Sequence, residues 1–486
     1  MTNENDTQER TDKGTIFHCR LSDTQKSFAL RNSQRFHSPK FAVLDDRLNQ
    51  ADIVRLKSLC KVPIRSGVAP QYDEEGEGVY LSQIEMRTGE IDLLEAKHLD
   101  DGFVAARVPA YDVRKSDIFI TTAAEGTIGK VALYRHDTPA VFSNFVARIR
   151  LSELHNPLFV TYSLKSSLFQ LQVEREKAGM GNLTNIYPYQ LAELRLPSVL
   201  LAEQNRVAAK IGEVESRINA RLVGLRKPID VINGILCDAF HYPLAEHKAR
   251  KRETRFNRRL SDFGHALTLR GSSRFHHPDG ALLDAFFART PHEPLKNFIA
   301  VPIRLGATLT QGDLDENGET YCVHPSAIRR EEGIDPQNCL RVGLDFYNAG
   351  RRRFGLRDGD IVMARSGEGT IGKAALFEAQ AEEAFLFSDF TMRLRLGDSL
   401  SSRFAAYYFR SVMFQQQVNR EKRGMGNMTN IFPPQVGAML VPIASREGQD
   451  ELARTITTAL STLQDDRDAI EAGRAEINAL VEAALR

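Results

Sequence analysis

Two stretches of the chain carry the same apolar rhythm. After Ala202, Val207, Ile211, Val214, Ile218, Leu222, Leu225, Ile229, Ile232 and Leu236 fall in steps of four and three, the seam of a coiled-coil helix with one extra step of four at Leu222. Leu452, Ile456, Ala459, Leu463, Ile470, Ile477 and Val481 repeat the pattern. Pro228 predicts a kink in the first helix, because proline lacks an N–H and crowds the preceding turn. Each stripe needs an apolar partner and the other can supply it, so the two helices are expected to pair antiparallel. The stretch from Val207 to Leu236, taken as continuous helix, rises ~45 Å at ~1.5 Å per residue.

Ahead of each stripe the pattern is mixed. DIFITT at 117–122 and VALY at 131–134 are short β-rich runs beside glycines, and FVARIR at 145–150 alternates with period two, so all three read as strands. Residues 156–177 and 401–422 have helical spacing and run up to Gly179 and Gly424. A loop from Gly179 leads to Pro188, and LRLP at 194–197 closes the domain.

These features occur twice. LRNSQRFHSP at 30–39 returns as LRGSSRFHHP at 269–278, and VPIR at 62–65 returns at 301–304, both 239 residues later. EGTIGK at 125–130 returns at 368–373, an offset of 243. REKAGMGNLTNIYP at 175–188 returns as REKRGMGNMTNIFP at 420–433, an offset of 245 shared by Ser143 and Ser388. A period this long makes each copy a whole domain rather than a solenoid unit. Because insertions collect in surface loops, the drifting offset marks 66–116 and 305–359 as the most variable segments. The expected class is α+β, with two mixed domains, each followed by a long helix, and the helices forming an antiparallel coiled coil. The expected boundaries are a disordered N-terminus at 1–15, domains at 16–200 and 261–444, helices at 201–246 and 445–486, and a basic linker at 247–260.

Composition narrows the class without naming a partner. The 486 residues are 42% hydrophobic and 26% charged, which suits a globular multidomain chain. Lys and Arg total 64 against 63 Asp and Glu, so the net charge of +1 points to no ligand and local charge must be sought. Five cysteines without a CxxC pair argue against a disulfide framework and suit a reducing cytosol. No apolar run reaches the ~18 residues of a membrane span. The polar first fifteen residues have no signal-peptide core, so a cytoplasmic location is expected.

Catalytic motifs fail on inspection. GEGTIGK at 367–373 matches GxGxxG and most of a P-loop, but Ala374 stands where the magnesium-binding Ser or Thr belongs, and the first copy has Ala124 in place of Gly367. A tight turn between strands is the better reading, with glycine supplying positive φ. There is no HExxH, no GxSxG, no amino-methyltransferase signature and no metal-ligand spacing around His276 and His277. No catalytic residue, metal or cofactor is expected.

The arrangement resembles the specificity subunits of type I restriction-modification systems, across essentially the whole chain. The resemblance lies in Asp117-Ile118 followed by GTIG at 126–129, with twins at Asp360-Ile361 and 369–372. It extends to Asn185-Ile186 with its twin Asn430-Ile431, to LRLP at 194–197, and to Glu203-Gln204 opening the long helix. The second copy departs from it, reading REGQ at 446–449, and both copies carry the additional 30–39 and 269–278 segment. The resemblance implies two target-recognition domains joined by two antiparallel helices, without catalysis of their own. Its implied partners are double-stranded DNA, two DNA methyltransferase subunits and a restriction or translocase subunit, in an antiviral defence system.

Local charge fits duplex DNA as the partner. Lys248, Arg250, Lys251, Arg252, Arg255, Arg258 and Arg259 crowd the expected linker. Two domains reading different half-sites cannot do so with identical residues. The shared Arg65, Arg304, Lys130, Lys373, Asn182, Asn185, Asn427 and Asn430 are therefore expected to position phosphates or build scaffold, and Arg175, Lys177, Arg420 and Lys422, which flank the GMG loops in both copies, are expected to contact phosphates. Base reading is expected from the divergent segments: Arg87, Lys97, Arg107, Arg114 and Lys115, then Arg329, Arg330, Arg341, Arg351, Arg352 and Arg353. The alternative is a catalytically silent scaffold whose duplicated domains hold two copies of one protein partner; divergence between the copies speaks against it.

Overall fold

In the computed structural model the chain forms two compact units, residues 1–223 with 468–486, and residues 224–467. The structure describes residues 9–11, 14–16, 36, 38–50, 52–70, 78–82, 91, 93, 96–138, 140–179, 183–250, 255–259, 272–329, 333–379 and 384–486.

Each unit is built on the same pair of sheets. In the first, Arg65–Ser66, Val146–Ile149, Ile118–Thr121 and Val131–Leu133 lie side by side in that order, all antiparallel. In the second, Ile299–Leu305, Thr391–Leu396, Ile361–Ala364 and Ala374–Leu376 do the same. Ile118–Thr121, Val146–Ile149 and Ile361–Ala364 are buried along their whole length and are apolar except for Thr121 and Arg148. The other sheet orders Lys97–Leu99, Gly78–Leu81 and Ala140–Phe142, the last pair parallel. Its twin orders Leu340–Val342, Thr320–Val323 and Ala384–Phe387, with the same parallel pair. The variable segments are therefore not merely loops. They supply strands of this sheet and the helix that follows, Asp101–Tyr111 in one unit and Leu344–Phe354 in the other. Within 305–359 a further hairpin pairs Ile328–Arg329 with Gly333–Ile334.

Several expectations are corrected by local chemistry. The expected helices at 156–177 and 401–422 are each two helices, Pro157–Lys165 with Ser167–Glu176, and Ser402–Arg410 with Val412–Glu421. At the break Ser166 is extended, with φ −62° and ψ 156°, and its hydroxyl accepts from the Phe169 N–H, so it ends one helix and caps the next. Ser411 adopts the same conformation, φ −65° and ψ 159°. The first spacer helix breaks rather than kinks: Leu201–Gly224 stops, Lys227 is extended at ψ 140°, and Pro228–Phe240 starts afresh with proline in its first turn. The continuous rise expected from Val207 to Leu236 is thus interrupted. The last helix, Arg446–Ala484, runs unbroken for 39 residues. Near the N-terminus, expected to be disordered, Glu9–Thr11 pairs antiparallel with Gly14–Ile16.

The two apolar stripes do meet. In the first unit a Cβ added to Gly473 would lie 2.9 Å from the Ile218 side chain and 3.4 Å from Val214, and Arg217 pairs with Glu476 at 2.8 Å. Gln204 and Leu485 line one small cavity, so the two helices run in opposite directions. In the second unit Ile232, Leu236, Ala453 and Ile456 share one core. Leu222, at the extra step, is 39% exposed, where the seam lapses as the helix ends.

Candidate nucleic-acid interface

The shared motifs converge in space, and what they build is a joint. In the first unit the turn after Ile118–Thr121 places Ala124 at φ 68° and Gly129 at φ 85°; in the second, Gly367 and Gly372 stand at φ 85° and 78°. The loop of the GMG motif is stitched to this turn. Ala124 N–H donates to Thr184 O at 3.0 Å and Ile186 N–H to Thr122 O at 2.9 Å. The twins are Gly367 to Thr429 at 3.0 Å and Ile431 to Arg365 at 2.9 Å. Gln170 donates to Gly129 O at 2.9 Å and Gln415 to Gly372 O at 2.8 Å. Asn185 and Asn430 pair through their backbones with Ala178 and Arg423, and their amides donate to Leu183 O and Met428 O. The turn reading of EGTIGK fits this geometry.

The cations of the same motifs are matched inside the fold. Lys177, with its side chain 4% exposed, pairs with Glu125 and Glu174 at 2.6 Å each. Burial alone would depress its ammonium; the hydrogen bonds to Glu125 and Glu174 outweigh that and hold it above the ordinary lysine value. Lys422 pairs with Glu368 at 2.7 Å, and Glu368 also accepts from Thr429 at 2.9 Å. Those two bonds, Lys422 first, hold the Glu368 carboxyl below its usual range. Arg175 is clamped between Asp45, at 2.7 Å, and the Phe36 ring, 5.2 Å away. Arg420 is held likewise by Asp284, at 2.5 Å, and Phe275, at 5.0 Å. The additional segment shared by the copies thus delivers one phenylalanine beneath one arginine. Where the sequence led us to expect phosphate contacts, the structure places Arg175, Lys177 and Lys422 in latches with their charge already neutralised. Gln449 also resolves the departure at 446–449. Its side chain caps Ser401 N–H at 2.8 Å and reaches Ala444 O, as Gln204 does for Asn156 N–H and Val199 O.

Two twin arginine pairs escaped the sequence reading. Arg150 grips Asp117 through both oxygens at 2.7 and 2.6 Å, and Arg395 grips Asp360 at 2.7 Å twice. Beside them the buried Arg148 donates to Asp112 O at 2.6 Å and the buried Arg393 to Gly355 O at 3.1 Å. The detectable signal was an arginine kept at the same register of an otherwise apolar strand in both copies.

The remaining candidates divide by exposure. Arg65 and Arg304 are exposed on equivalent strands, Arg65 stacked 5.0 Å from Tyr111. Lys130 and Lys373 are half-buried. In the first variable segment Lys97 and Arg107 are exposed, while Arg114 and Lys115 pair with Asp112 at 2.5 Å and Asp137 at 2.9 Å. In the second, Arg329 pairs with Asp335, and Arg341 stacks 5.6 Å from Tyr321. Arg351, Arg352 and Arg353 are exposed on one helix. Of the linker cations, Lys248 pairs with Asp230 and Arg250 with Glu246. Arg87, Asn182 and Arg330, together with Lys251 and Arg252, lie outside the described residues, as does the side chain of Asn427. Burial pushes the Cys237 and Cys322 thiols up to about 12, so neither is a thiolate at neutral pH. Among the described residues no cluster of His, Cys, Asp and Glu could hold a metal ion, and no helix is long and apolar enough to cross a membrane.

The chain is similar to solved structures of type I restriction-modification specificity subunits. One is the S subunit from M. genitalium: 14% identity over 90% of this chain and 97% of that one, TM-score 0.49. Another, from work on complex assembly and conformational transition of the type I R-M system, has 14% identity over 90% and 98%, TM-score 0.47. The HsdS subunit from Thermoanaerobacter tengcongensis has 16% identity over 89% and 96%, TM-score 0.36. No family model and no curated protein matches the sequence.

Proposed function

We propose that this chain is the non-catalytic specificity subunit of a restriction-modification assembly. It binds a bipartite, asymmetric DNA site, one block per repeat, and brings methyltransferase and restriction subunits to it in the cytoplasm. One observation carries the reading. The repeats keep the shared Arg175, Lys177, Arg420 and Lys422 paired with carboxylates, yet the divergent segments put different side chains on the same exposed element, with three arginines on Leu344–Phe354 that have no carboxylate partner among the described residues. Shared scaffold with divergent exposed polar residues is what two half-sites of different sequence require. The scaffold alternative draws on a different feature: Phe145, Leu183 and Tyr187 are exposed at the registers of Phe390, Met428 and Phe432, so each repeat offers a like apolar surface.

The test is binding of the full chain, alone and with candidate partner subunits, to random duplex DNA across a salt series. A steep loss of affinity with salt is expected; salt-independent or absent binding would overturn the reading. Replacing 305–359 by the equivalent segment of a divergent relative should then change one recognised block and leave the other. A continuous or palindromic site would contradict separate reading by the two repeats.

A further inference from the structure

The helix Leu344–Phe354 has two faces with different tasks. At ~100° per residue, Phe346, Tyr347, Gly350 and Phe354 fall on one side, and the three aromatic residues pack against the core of Cys322, Val342 and Leu386. A Cβ on Gly350 would lie 3.4 Å from Leu386, which places the helix close on the sheet. The opposite side carries Asp345, Asn348 and Arg352, all exposed, at successive i, i+3 and i+4 steps. Arg351 and Arg353 flank that line, one on each side, and both are exposed. None of the three arginines has a carboxylate partner among the described residues, whereas Arg114, Lys115, Lys177 and Lys422 all do.

We propose that this helix enters the major groove of duplex DNA and reads the second block, an inference that rests on the DNA-binding function proposed above. The groove, ~12 Å wide, admits one α-helix. From Asp345 to Arg352 the helix advances ~10 Å, about three base-pair steps at ~3.4 Å. Arg352 pairs with the O6 and N7 of a guanine, and Asn348, one turn away, with the N6 and N7 of an adenine. Asp345 accepts from a cytosine amino group. Arg351 and Arg353, pointing to opposite flanks, meet phosphates of the two strands that border the groove. The charge of the face is complementary to DNA, and the spread of its polar tips matches the groove it would fill.

The experiment selects bound sequences from a pool of random duplexes, using the full chain and two variants, N348A/R352A and R351A/R353A. The wild-type chain is expected to yield two blocks. N348A/R352A should keep the first block and lose the guanine and adenine preference in the second, with discrimination at those positions falling roughly 5- to 150-fold. R351A/R353A should weaken all sequences alike and reduce the salt slope by about two. These side chains are exposed, so thermal melting of both variants should match wild type. An N348A/R352A chain that selects both blocks unchanged overturns the groove-reading helix and leaves DNA binding standing. A wild-type chain that selects no motif overturns both.

Discussion

Asp101–Tyr111 and Leu344–Phe354 occupy the same place in the two repeats, each following the outer strand of the three-stranded sheet. Their inner faces agree: Phe103, Val104 and Tyr111 sit at the registers of Phe346, Tyr347 and Phe354, and both sets pack on the sheet beneath. Their outer positions do not. The exposed Ala105 stands where Asn348 stands. Packing constrains the inner face to one pattern, whereas the outer face is free to differ without cost to the fold. In the first repeat the exposed cations near this helix are instead Lys97 and Arg107.

If the joint is common scaffold, equivalent lesions should behave alike in both repeats. Asp117→Ala and Asp360→Ala each strand a largely buried arginine, so each should cost about 3–5 kcal/mol by denaturant unfolding. A variant costing under 1 kcal/mol in one repeat alone would break the equivalence. The seams should be alike as well. Ile218 is 8% exposed and Leu463 is 7% exposed. Changing either to Asp buries a carboxyl among apolar side chains and should cost roughly 3 kcal/mol; unchanged melting would mean that the seams carry no stability.

Acid should separate wild type from Glu368→Gln. The folded carboxyl of Glu368 lies below its ordinary value because of Lys422, then Thr429. A depressed folded pKa gives stability that is present above the unfolded value, about 4.3, and is lost as pH falls through the folded one. Unfolding midpoints followed downward from neutral pH should fall less steeply in the variant; parallel curves would remove Glu368 from the acid limb. The smallest effect is at the turn. Ala124 holds φ 68° where its twin is Gly367 at φ 85°. Ala124→Gly should stabilise by about 0.5–1 kcal/mol and Gly367→Ala should destabilise by about 1 kcal/mol, since an L side chain resists positive φ. Opposite signs in denaturant melts are the check.

The duplication was legible in motifs repeated in the same order, and the strands at 118–121 and 146–149 and the helical seams in local periodicity. The helix breaks were less so. Ser166 and Ser411 sit in apolar helical spacing, and only their extended backbone conformation reveals that two short helices fit better than one. The roles of Arg175 and Lys177 were hidden for a different reason. A cation beside a glycine loop looks the same whether its partner is a phosphate or a carboxylate 130 residues away, as Asp45 is from Arg175. The two faces of Leu344–Phe354 could have been read from Phe346, Tyr347, Gly350 and Phe354, had the three arginines not drawn the eye to charge alone.

The division of the last helix has a consequence for synthesis. Residues 468–486 belong to the same compact unit as residues 1–223, and Gly473 there lies against Val214 and Ile218. A ribosome that has finished the first repeat must add the whole second repeat before those residues emerge, a delay of roughly 12–50 s at ~5–20 residues per second. During that interval the apolar stripe at Val207, Ile211, Val214 and Ile218 has no mate. The first repeat is made first but completed last, and a nascent chain stalled before residue 468 should remain open to protease along that stripe while the released chain resists.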